Sequence, residues 1–238
     1  MTRRFHHLVL LVGVALLLLA PPSNATAMQD GTLLSKAEDI ALQVFRDTPG
    51  LIANPNVLPK SFDSSFKKEV IVNAIDLTQI DAFLFILRDP TAKPGDQFVV
   101  AVDLSNRWYA VLYGPSEFQN VVNTHLRPGL EQKEVAELFR TCVRLYATNF
   151  PGAFDWIVIL KEAGQIPGLK KDELARLESV VKLEHISNLS GGFEGTFFSW
   201  SDLGGDLVHW QIRLTKEGGM DVKRDVVAKG IGTYYLPK

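Results

Sequence analysis

The chain has 238 residues, 25 Lys and Arg against 27 Asp and Glu, and a net charge of −2. That length suits one large domain or two small ones with a sizeable core. The charge excludes a general nucleic-acid binder, which carries a basic excess or stripe, and one cysteine, Cys142, excludes an intramolecular disulfide.

The first 27 residues read as a secretory signal. Arg3 and Arg4 precede an apolar run from Leu8 to Ala20, Pro21 and Pro22 end it, and Ala25-Thr26-Ala27 has the small-x-small form of a cleavage site. The apolar run is too short for an ordinary membrane-spanning helix, which needs about 20 residues. Cleavage after Ala27 leaves 211 of the 238 residues and, with Arg3 and Arg4 gone, a charge of −4. The remaining chain has no apolar run of spanning length. The expectation is export, periplasmic or secreted.

From Gly31, Leu34, Ala37, Ile40, Ala41, Val44 and Phe45 form a helical stripe that Thr48-Pro49-Gly50 ends. Residues 51–65 read as irregular, punctuated by Pro55 and Pro59. The β-branched run within Lys68–Leu77 leans to strand. Ala82–Arg88, Phe98–Leu104 and Trp108–Tyr113 read as three more strands, with Asp89–Asp96 as a connection and Ser105-Asn106 as a tight turn. Gly114-Pro115 closes that sheet, and Arg127-Pro128-Gly129 marks a boundary.

A second helix, Glu131–Thr148, starts with acids that suit the positive end of its dipole. Its stripe of Val135, Leu138, Phe139, Cys142, Leu145 and Tyr146 sets Cys142 on the apolar face as an inert thiol. Trp156–Leu160 is apolar and of either type. A third helix covers Lys170–Lys182.

The remainder reads as a meander: Thr196–Trp200, Leu207–Lys216 and Met220–Lys229. In its middle strand Val208, Trp210, Ile212 and Leu214 alternate with His209, Gln211, Arg213 and Thr215, which means one buried and one wet face.

The fold class is therefore α+β, antiparallel meanders with amphipathic helices packed on one side. The halves 28–127 and 128–238 share an order of elements: a helix ending in Pro-Gly, an aromatic strand, a connection ending in Gly-Asp, then an alternating strand. Two related helix-plus-meander halves fit this order, and so does generic α+β organisation.

Catalytic spacing is absent. There is no G-x-S-x-G elbow, no S-x-x-K, no Cys beside a His and no paired zinc histidines, so neither metal nor cofactor is expected. His209 is the one candidate general acid or base, mid-strand on the polar face with Asp202 or Asp206 across the turn to fix its tautomer. A solvent-facing histidine on a wet sheet face gives the same pattern. The acidic connections Asp89–Asp96 and Asp202–Asp206 read as turns in which Asp bonds its own backbone. Trp108, Tyr109 and Tyr113, joined by Gln211 and Arg213, are the candidate ligand-binding residues, aromatic groups with a few polar ones.

The functional expectation is a non-enzymatic exported module that binds an apolar ligand, a peptide or an envelope partner through a sheet face or cleft. The alternative is a small hydrolase-like enzyme around His209.

Overall fold

A computed structural model describes residues 31–47, 70–88, 97–112, 114–146 and 157–234 of the chain. The signal-like segment, Tyr113, Trp156 and the Asp89–Asp96 connection lie outside these residues.

Helix α1, Gly31–Asp47, forms where the first stripe predicts it. Ala37, Ala41, Val44 and Phe45 are its buried face. That face packs on a four-stranded sheet of β1 (Ile71–Ile75), β2 (Phe83–Arg88), β3 (Gln97–Asp103) and β4 (Trp108–Leu112). The strands are antiparallel and lie side by side in chain order. Phe83, Phe85, Leu87, Val100 and Val102 meet α1. Leu84, Ile86, Val99 and Ala101 face the other way into a larger core.

Helices thus cover both faces of this sheet, and the expectation of helices on one side is corrected. The unbroken run Phe83-Leu84-Phe85-Ile86-Leu87 is the sequence mark of a strand buried on both faces.

The second face is covered by α2, Pro115–His125, and α3, Gln132–Tyr146. The sequence reading took Pro115 as a sheet closure and missed α2. Proline is instead at the first helical positions, where its fixed φ fits and its missing N–H is no loss. Phe118, Val121, Val122 and His125 form the buried stripe at helical spacing. α3 buries Val135, Leu138, Phe139, Cys142, Leu145 and Tyr146, as its stripe requires.

The chain then builds a second antiparallel sheet from β5 (Ile157–Leu160), β6 (His185–Leu189), β7 (Gly192–Ser201), β8 (Leu207–Thr215) and β9 (Met220–Ala228). β7 pairs with β8 on one side; on the other it pairs with β5 through Phe198–Ser201 and with β6 through Gly192–Thr196. Strand β6 has a polar composition and was not predicted. A 3₁₀ turn, Ala163–Gln165, and α4, Lys171–Glu178, lie between β5 and β6. The spatial order β5-β7-β8-β9 repeats that of the first sheet, β1-β2-β3-β4.

Phe197, Trp210, Ile212, Leu214 and Met220 of the second sheet share one core with α2, α3 and the inner face of the first sheet. A separate cluster, Leu160, Ala163, Leu177, Phe198, Trp200, Leu207 and Ile231, covers one end of the second sheet's outer face. Glycine is required at the head of β7: Gly192 has φ of 136°, and a Cβ there would fall 2.0 Å from the Leu214 carbonyl oxygen.

Candidate functional site

The alternation along β8 holds in space. Val208, Trp210, Ile212 and Leu214 are buried, while Gln211 and Arg213 are exposed and His209 is half-buried. Trp210 donates its indole N–H to the Ser199 hydroxyl at 2.9 Å, which satisfies the polar atom of a buried ring. The Arg224 guanidinium sits 5.7 Å from the Trp210 ring and donates to the Tyr146 carbonyl.

The outer face is a lattice of cross-strand rows. Glu194, Arg213 and Asp221 form one row; Thr196, Gln211 and Lys223 form the next; Phe198, His209 and Asp225 form the third. Opposite charges face each other across the first row and polar groups fill the second. His185 and Ser187 of β6 extend these rows beyond Thr196 and Glu194. In the third row the imidazole of His209 stacks on Phe198 with centroids 4.7 Å apart. Beyond it the face turns apolar and is covered by the cluster that includes α4. The His209 ring stacks on Phe198 and stands opposite Asp225 of β9. Asp202 and Asp206 belong to the β7–β8 turn, where the Ser201 amide donates to the Asp206 carbonyl.

Of the aromatic candidates, Trp108 and Tyr109 do not converge with Gln211 and Arg213. Trp108 points into the core, with its ring 4.7 Å from that of His125. Tyr109 points to the opposite face of the first sheet and is 54% exposed at the edge strand β4.

Sequence reasoning missed a second polar site, buried between the first sheet and α2. Asp103 ends β3 and is fully enclosed. Its Oδ1 accepts the Ser105 amide at 2.8 Å and the Asn106 amide at 3.2 Å, and its Oδ2 accepts the Asn106 side-chain amide at 2.6 Å. These bonds shape the β3–β4 turn, in which Arg107 takes a left-handed φ of 51°. His125, in the last turn of α2, brings Nδ1 to 3.3 Å from Asp103 Oδ2.

The connection between β1 and β2 closes the corner. Asp81 donates its amide to the His125 carbonyl at 2.8 Å, Arg127 donates its amide to Gln79 at 3.0 Å, and the Arg127 guanidinium donates to the Thr78 carbonyl at 2.7 Å. Ile80 and Leu126 pair as an antiparallel bridge. His125 Nε2 and Gln79 Oε1 are buried without hydrogen-bond partners among the described residues. Burial holds the His125 pKa below the ordinary histidine value, against the opposing pull of Asp103 and Asp81. The signal that could have found this site is an Asp just before a Ser-Asn turn; its histidine partner, 22 positions later, carries no local mark.

On α3, Arg140 makes a bidentate pair with Glu184 and a further bond to Glu137 at 2.6 Å. The Arg140 hydrogen bond holds the Glu184 carboxyl below its usual range. Burial alone pushes the Cys142 thiol far up, the opposite of what a nucleophile needs.

Compared with known proteins, the chain matches no family model, no curated protein and no solved structure.

Proposed function

We propose that the protein is an exported, non-enzymatic binding module whose open sheet face receives an extended, polar peptide segment of a partner. The observation that carries this reading is the outer face of the second sheet. Two complete rows, from His185 and Ser187 through Thr196 and Glu194 to Lys223 and Asp221, stand uncovered beside an apolar end sealed by α4. Both signs of charge recur at strand spacing, which fits a chain of alternating charge laid across them. His209 sits at the border of the polar and covered ends, stacked on Phe198 and opposite Asp225 of β9. A stacked, half-buried ring at that border is placed to contact a segment laid along the rows.

The test is selection of unstructured peptides on the immobilised protein, followed by affinity measurement on face variants. Arg213→Glu and Lys223→Glu should each weaken a selected peptide by about tenfold or more, roughly 1.4 kcal/mol, with a strong dependence on salt. Peptides that bind these variants unchanged, or a compound that wild type transforms and His209→Ala does not, would overturn the reading.

A further inference from the structure

The last turn of α2 touches both sheets through adjacent side chains. His125 reaches Asp103 of the first sheet. Two residues earlier, Asn123 Oδ1 accepts the Met220 amide at 2.7 Å, at the start of β9 in the second sheet. One residue later, Leu126 lies beside the β8–β9 turn, where a Cβ on Gly218 would meet Leu126 Cδ2 at 3.5 Å. A single helical turn therefore spans the core and fixes an edge strand of one sheet relative to a hairpin of the other.

We propose that this turn is a proton-operated joint, clamping both sheets while His125 is neutral and releasing them when its imidazole takes up a proton. The geometry sets the direction. A charged imidazole presents two N–H groups, and both need acceptors. Asp103 can meet the one at Nδ1, although three donors already occupy its oxygens. The other, at Nε2, is buried beside the Trp108 ring and has no hydrogen-bond partner among the described residues. An unpaired charged donor in the interior is more costly than opening the turn to water.

The charged groups that bear on the imidazole are Asp103 at the end of β3 and Asp81 on the β1–β2 connection. β4 contributes the Trp108 ring there, and the Arg127 guanidinium is engaged by Thr78. Both acids favour the cation, but burial outweighs them and the folded state prefers the neutral ring. The folded state thus binds fewer protons than the open one. The clamp is complete above the ordinary histidine range, about pH 6.5, and weakens as pH falls through it.

The experiment is amide hydrogen exchange by NMR on the whole protein across the histidine range, normalised for intrinsic exchange. Three amides report on the joint: Asp81, Arg127 and Met220, each bonded to or within the α2 corner. Their protection should fall together by about tenfold per pH unit, with amides of the central strand β8 unaffected. The imidazole resonances of His125 should titrate below the ordinary histidine range, with protection lost as they shift. His125→Asn keeps a donor near the Nδ1 position and carries no charge, so its Asp81 and Met220 amides should ignore pH. If that variant fails to fold, the wild-type titration and exchange decide alone. Protection that stays constant or rises on acidification, or Asp81 and Met220 responding with separate midpoints, would overturn the joint.

Discussion

Gly195 on β7 lies against the ring of Phe139 on α3. A Cβ added at Gly195 would fall 2.5 Å from Phe139 Cδ2 and 2.8 Å from Phe197 Cε2. The Phe139 and Phe197 rings meet edge to face, with centroids 6.2 Å apart. Helix and sheet approach closely because this one position has no side chain. Gly195→Ala should destabilise by about 1–3 kcal/mol through overpacking, measured as a lower urea midpoint at unchanged slope. Adding Phe139→Leu should recover part of the loss.

Ser199→Ala should cost about 1–3 kcal/mol, because it leaves the enclosed Trp210 indole N–H without an acceptor. The check is equilibrium unfolding followed by tryptophan fluorescence.

Cys142 should resist a thiol reagent in the native protein and react in denaturant. It is fully buried, and burial keeps the thiol protonated across the neutral range. Cys142→Ser should cost about 1–3 kcal/mol by placing a hydroxyl in an apolar site.

Arg140→Met should flatten the acid side of the stability profile. Glu184 titrates lower in the folded chain than in the unfolded one, because Arg140 donates to it. Its contribution is present above the ordinary carboxylate range, about pH 4, and is lost as pH falls through the folded value. Unfolding free energies of wild type and variant, separated by about 1 kcal/mol at neutral pH, should converge toward acid.

His209→Ala should change stability by less than about 1 kcal/mol, since the half-exposed ring leaves no cavity in the main core. Affinity for a selected peptide should fall modestly, with no chemical step affected.

The sheet core was legible because its strands advertise themselves. Val208, Trp210, Ile212 and Leu214 alternate, and the buried face follows from parity alone. The stripe on α3 was equally plain. α2 was missed because its opening Gly114-Pro115 has the chemistry of a turn as much as of a helix start. β6 was missed because an edge strand with residues such as His185, Ser187 and Asn188 has little apolar pattern to read. The Asp103–His125 contact was illegible for another reason. It joins a strand end to a helix end, and only the tertiary fold sets that distance. Likewise Trp108 and Tyr109 are neighbours in sequence, yet the pleat sends one inward and the other to solvent.

β5 and β6 lie end to end along one edge of β7, and they run in the same direction. Leu160 stands opposite Phe198 and His185 opposite Thr196, so only the position opposite Phe197 separates them. Residues 161–184 are therefore a detour out of what would otherwise be one continuous strand. Replacing the detour with a single linking residue would give a four-stranded sheet of the same order as the first. It would also bare Phe198, Trp200 and Leu207, which the detour now roofs over. The polar rows of that face are the part left unroofed, so the length of one excursion determines how much of the sheet another molecule can reach.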